Sequence, residues 1–134
     1  IVAAKVVRDD RYVYFLAECA NDITPPDGNA WMRLFIDIDR DRSTGWEGYD
    51  FAVNRLAPDG KAVVERSRDG WNWSRVCSAD FRVEGRAMEL RIQGSRAGLR
   101  RGFRIRVQMG RQHATRRGDK RFLAKRRLRS RGEV

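Results

Sequence analysis

Apolar and polar residues alternate along most of this chain, and that period of two is what most narrows its fold. In Phe103-Arg-Ile-Arg-Val-Gln-Met109 four apolar residues share one face, while Arg104, Arg106 and Gln108 take the other. Such a pattern suits a strand with one buried and one wet face; a helix needs a period of about 3.6. Arg11–Glu18 is rich in aromatic and β-branched residues, as strands are. Trp31–Asp37 sets Met32, Leu34 and Ile36 against Trp31, Arg33 and Phe35. Tyr49–Arg55 sets Tyr49, Phe51 and Val53 against Asp50, Ala52 and Asn54.

Shorter strands are predicted at Ile1–Val7, Lys61–Arg66, Trp71–Cys77, Phe81–Val83 and Ala87–Gln93, and a helical turn only at Ser95–Arg101. The links Thr24–Gly28, Pro58-Asp-Gly60, Asp69-Gly70 and Glu84-Gly85 carry turn residues. Eight or nine strands at roughly ten-residue spacing predict an all-β, antiparallel sandwich or barrel. A length of 134 residues suits one core. No apolar run approaches the roughly 18 residues needed to span a bilayer. The opening Ile-Val-Ala-Ala-Lys-Val-Val, without a starting Met or a signal peptide, is expected to be a strand of a module from a longer protein.

Net charge is +11, unevenly spread. Residues 1–95 hold 14 Lys/Arg against 16 Asp/Glu, and residues 96–134 hold 15 against 2. The alternation fades near Gly110, so residues 1–109 are expected to form the sandwich module and residues 110–134 a basic C-terminal extension. Within it, Phe122–Leu128 suits a last edge strand, because Lys and Arg protect an edge from aggregation. Arg116, Arg117, Lys120, Arg121, Lys125, Arg126 and Arg127 are candidates for a polyanion such as nucleic acid. Phe122 is the one aromatic among them, so phosphate contact is better served than base stacking. A solvated tail is the plainer alternative.

Asp37, Asp39 and Asp41 sit at alternate positions where a strand ends, with Glu47 and Asp50 following. Hard cations such as calcium take six to eight oxygen ligands, and a turning backbone can bring these carboxylates to one centre. The segment is not an EF-hand: Arg42 stands where that loop needs Gly, and Gly48 where it needs Glu. The competing expectation is an exposed turn whose carboxylates bond nearby amides and pair with Arg40 and Arg42. Cys19 and Cys77 lie at strand ends, and free thiols are expected over a bridge. With His113 the only histidine, zinc sites and His-dependent triads are disfavoured. The carboxylates cluster in one turn and do not flank a cleft, so a glycosidase is disfavoured too.

The segment Ile36-Asp-Ile-Asp-Arg-Asp-Arg-Ser-Thr-Gly-Trp-Glu-Gly-Tyr-Asp-Phe-Ala-Val-Asn-Arg55 resembles family 9 carbohydrate-binding-module-like (DOMON-like) domains. In these a strand ending in Asp-x-Asp leads through a Thr-Gly turn into a Tyr-Asp-Phe strand. Arg11-Tyr-Val-Tyr-Phe15 is similar to another of their strands, and Asn21–Thr24 fits its extension. The resemblance covers residues 1 to about 109; residues 110–134 depart from it. It implies a jelly-roll-like sandwich, a secreted or extracytoplasmic setting, attachment to neighbouring domains of a larger protein, and aromatic side chains stacked on carbohydrate. It does not fix which aromatics those are. A haem-binding variant would need Met or His axial ligands, but Met32 and Met88 suit the core.

Sugars present flat C–H faces to aromatic rings while polar side chains meet their hydroxyls. Trp71 and Trp73 project to one side of a strand, Trp46 lies in the acidic loop, and Trp31 and Arg33 are expected to share a face with Asn54. These six are the candidate carbohydrate contacts. The expectation is a non-catalytic carbohydrate-binding module, with calcium shaping a loop. Polyanion binding and a purely structural accessory domain are the alternatives.

Overall fold

The computed structural model describes residues 1–27 and 31–99, and the backbone of 105–107 and 126–128. β1 (Ala3–Arg8), β2 (Tyr12–Glu18), β3 (Leu34–Ile36), β4 (Phe51–Val53), β5 (Ala62–Asp69), β6 (Asn72–Glu84) and β7 (Ala87–Gln93) form one sheet in the order β1-β2-β7-β6-β5-β4-β3. Every pairing is antiparallel. A helical turn, α1 (Gly94–Ala97), follows β7, and β8 (Ile105–Val107) pairs with β9 (Arg126–Leu128). The sheet curls into a half-barrel. Among the described residues no helix is long and apolar enough to cross a membrane.

The curl runs through β6. The expected strands at Trp71–Cys77 and Phe81–Val83 are one strand, which pairs with β5 through Ala79 and with β7 from Asp80 onward. Bulges between Val64 and Glu65 and between Ser67 and Asp69 bend its partner. One face of the sheet gathers Val13, Phe15, Leu34, Ile36, Phe51, Val53, Val64, Leu90 and Ile92 into the main core. Alternation holds cleanly on β7, where Met88, Leu90 and Ile92 are buried between exposed Glu89 and Arg91.

β3 and β4 depart from it. All three residues of each are buried, so this part of the sheet is covered on both sides. Leu34, Ile36, Phe51 and Val53 enter the main core, while Phe35 and Ala52 meet Tyr49 on the other face. The expected faces break at two turns. Met32 has φ of +40°, and Trp31 and Met32 enter one cluster with Ala17 and Met88. Glu47 and Gly48, at φ +51° and +84°, form a two-residue turn in which Trp46 and Tyr49 exchange backbone bonds of 2.9 Å. Positive φ at both central positions is what such hairpin turns require. That turn sends Tyr49 to the face opposite Phe51.

Candidate carbohydrate and cation site

Because β3 and β4 are antiparallel, Asp37 and Asp50 lie side by side at one end of the pair, and Arg33 and Asn54 at the other. At the acidic end the backbone N–H of Asp50 donates to the Ile36 carbonyl, and that of Ser67 to the Asp50 carbonyl. Asp50 is thereby fixed between β3 and β5. Its carboxylate is buried and accepts from the Ile38 N–H at 2.8 Å. Asp37, also buried, accepts from the Arg40 N–H at 2.7 Å. Asp39 accepts from the Asp41 N–H and from the Thr44 hydroxyl, and Asp41 from the Ser43 N–H and hydroxyl.

These bonds to nearby amides are the ones expected of an acidic turn. One oxygen from each of Asp37, Asp39 and Asp50 nevertheless lies within 4.8 Å of the other two. A carboxylate has lone pairs beyond those one amide uses, so the triad keeps acceptor capacity. Burial first, then the charges of Asp39 and Asp37, pushes the Asp50 carboxyl above its ordinary value, against the Ile38 bond that lowers it. Of the five expected metal ligands, three converge. Asp41 and Glu47 fall outside the group: Asp41 is exposed and turned to Ser43, which holds its carboxyl below the usual range, and exposed Glu47 sits in the hairpin turn.

The tryptophans divide in the same way. Phe35, Trp46, Trp71 and Trp73 form a closed circuit of rings, with centroid separations of 5.1 Å (Phe35–Trp46), 4.7 Å (Trp46–Trp71), 5.5 Å (Trp71–Trp73) and 6.2 Å (Trp73–Phe35). Tyr49 packs on Phe35 and Trp46. Trp71 stands nearly perpendicular to Trp73 and at 72° to Trp46, the edge-to-face arrangement that ring quadrupoles favour. It is 46% exposed, while Trp46 and Trp73 are half-buried. The circuit joins the acidic loop to the β5–β6 hairpin, and the backbone does the same. Gly70 N–H donates to the Gly45 carbonyl at 3.1 Å, and the buried Ser67 hydroxyl donates to the Gly70 carbonyl at 2.6 Å.

Three of the expected sugar contacts lie outside this circuit. Trp31 is 2% exposed, packs edge-on against Phe81 and donates its Nε1–H to the Thr24 carbonyl, so it serves the core. Asn54 is fully buried in the left-handed region (φ +56°) with its amide nitrogen 3.5 Å from the Met32 carbonyl. Arg33 spends Nε and Nη2 on the Arg55 carbonyl, and Arg55 pairs through two bonds with Glu65. Sequence reasoning missed Phe35 and Tyr49 as the floor of the aromatic group, Thr44 as the hydroxyl among the carboxylates, and Ser67 as the hairpin's anchor.

Cys19 and Cys77 are free thiols. Met32 and Met88 share a core cluster. Arg116, Arg117, Lys120, Arg121 and Lys125 lie outside the described residues, whereas Arg126 and Arg127 fall in β9, with Arg127 directly opposite Arg106 of β8. Comparison with protein-family models, with curated proteins and with solved structures returned no match.

Proposed function

We propose that this chain is a non-catalytic carbohydrate-binding module, with Trp71 as its principal sugar-stacking face and Trp46 and Trp73 as that ring's supports. The observation that carries this is the exposure of Trp71 while Trp46 and Trp73 pack edge-to-face against it. A large apolar ring left partly in water is suited to the C–H face of a sugar. Exposed Asp69 and Asn72 flank it on the hairpin and offer acceptors and donors to hydroxyls.

Calcium is the cation that Asp37, Asp39 and Asp50 suit, through oxygen ligands alone. Its role is to shape the loop: the positive charge offsets the mutual repulsion of the three carboxylates and steadies the segment that carries Trp46. The curled sheet is consistent with one half of a jelly-roll-like sandwich, and the resemblance of residues 36–55 suggests a module of a larger extracytoplasmic protein. Affinity electrophoresis through insoluble and soluble glycans tests the sugar reading. Retardation that Trp71→Ala abolishes supports it, and unretarded migration through every glycan sinks it.

One observation favours a second reading, polyanion binding at the basic end. The chain's positive charge is concentrated at residues 96–134, which hold 15 Lys/Arg against 2 Asp/Glu, and such an excess attracts a polyanion. Heparin retention that persists after truncation at Gly110 would sink this alternative.

A further inference from the structure

Among the described residues, two buried side-chain polar atoms have no hydrogen-bond partner, and one of them, the Nε1–H of Trp73, lies within the aromatic circuit. An indole N–H only donates, and burying it without an acceptor forfeits the bond it had with water. Buried indoles in folded proteins normally find a partner, as Trp31 does with the Thr24 carbonyl at 2.8 Å. Trp73 is therefore the exception that needs a physical account.

The rings that touch Trp73 differ in their freedom. Phe35 belongs to β3, is buried, and is held by Trp46 and Tyr49. Trp71 stands in the turn between Asp69 and Asn72, which are paired across the hairpin, and nearly half of it faces solvent. The backbone beside Trp71 is anchored at Gly70, through the Gly45 carbonyl and the Ser67 hydroxyl. The half-exposed Trp71 side chain is thus less confined than the backbone that carries it. Exposed side chains change rotamer within nanoseconds, so a movement of this ring needs no loop opening.

We propose that Trp71 is a swinging cover over the indole N–H of Trp73, and that this N–H donates to a ligand oxygen once the cover moves. A donor-only group selects an acceptor, and the surrounding rings select an apolar face. A ligand that supplies both is a pyranose, with a hydroxyl or ring oxygen reaching Trp73 while its C–H face lies on the displaced Trp71. This deepens the carbohydrate reading and rests on it for the ligand; the cover itself can be tested without any sugar.

The experiment uses the full chain with ¹⁵N-labelled indoles. Trp73→Phe keeps an aromatic ring, though a smaller one, removes the N–H and so assigns its resonance. In Trp71→Ala the Trp73 indole proton is expected to exchange with water at least about tenfold faster than in the parent. An unchanged rate overturns the cover. Methyl glycosides and cello-, xylo- and manno-oligosaccharides are then titrated. A sugar that binds the parent is expected to shift the Trp73 indole resonance and to bind Trp73→Phe about tenfold more weakly, the worth of one well-made hydrogen bond. Equal affinity for the two proteins overturns the donor role while leaving carbohydrate binding intact. Failure of every sugar to bind, with exchange still accelerated in Trp71→Ala, refutes the carbohydrate reading and the pyranose ligand but leaves the cover standing.

Discussion

The N–H of Gly70 donates to the carbonyl of Gly45 over 3.1 Å, and through this bond the acidic loop and the tryptophan hairpin hold each other in place. Both residues have positive φ, and Gly45 is the more constrained. A Cβ at Gly45 would stand 2.0 Å from the Tyr49 carbonyl oxygen, whereas one at Gly70 meets nothing within 4 Å.

Gly45→Ala is therefore expected to destabilise the fold by more than about 3 kcal/mol, since the backbone must move as well as adopt a disfavoured φ. Gly70→Ala carries only the backbone penalty, about 1–2 kcal/mol. Urea unfolding of the two variants compares them. Equal losses would show that the close approach at Tyr49 is easily relaxed.

Ser67 is the second anchor. It is buried, and its hydroxyl bonds the Gly70 carbonyl at 2.6 Å. Ser67→Ala is expected to cost about 1–2 kcal/mol and to loosen the tip that carries Trp71. Acrylamide quenching of tryptophan fluorescence should rise in this variant. Unaltered quenching at full stability would mean that Gly45 alone fixes the hairpin.

The strands with one wet face were legible. β2 and β7 alternate because one side meets the core and the other meets water, and their sequences say so. β3 and β4 are apolar on both faces, so alternation could not tell the main core from the aromatic layer. The positive φ of Met32 re-aims Trp31 into the core, and a single-residue change of backbone region leaves no periodic trace. Asp37, Asp39 and Asp50 were visible as candidates because acids at a strand end are unusual. The exclusion of Asp41 was not, since it follows from a local bond to Ser43. The Trp46–Trp71 contact depends on the Gly45–Gly70 clasp between segments remote in sequence, which spacing alone does not encode.

The buried carboxyl of Asp50 sets a pH dependence. Its folded pKa is raised above the ordinary 3.8, so between those two values the folded protein holds the proton more tightly than the unfolded chain. The sign follows: the contribution of Asp50 is greatest below the ordinary value and is lost as pH rises through the raised one. In the presence of chelator, Asp50→Asn should be at least as stable as the parent at neutral pH, because it keeps an acceptor for Ile38 and removes the repulsion from Asp39 and Asp37. Melting curves at pH 7 and pH 4 check this. An advantage for the variant that grows on acidification would contradict the sign.

Calcium should reverse that ranking. A cation held by Asp37, Asp39 and Asp50 binds only the folded loop, so it must stabilise by mass action, about 2.7 kcal/mol at a hundredfold excess over Kd. The parent melting temperature is then expected to rise by several degrees on adding calcium and to fall with chelator. Asp37→Asn and Asp39→Asn should each lose most of the rise, as should Asp50→Asn. Glu47→Gln and Asp41→Asn should keep it, because neither side chain belongs to the converging group. A parent melting temperature that ignores calcium would remove the cation from this loop. A rise lost equally in Glu47→Gln would place the ion nearer the hairpin turn than the three carboxylates indicate.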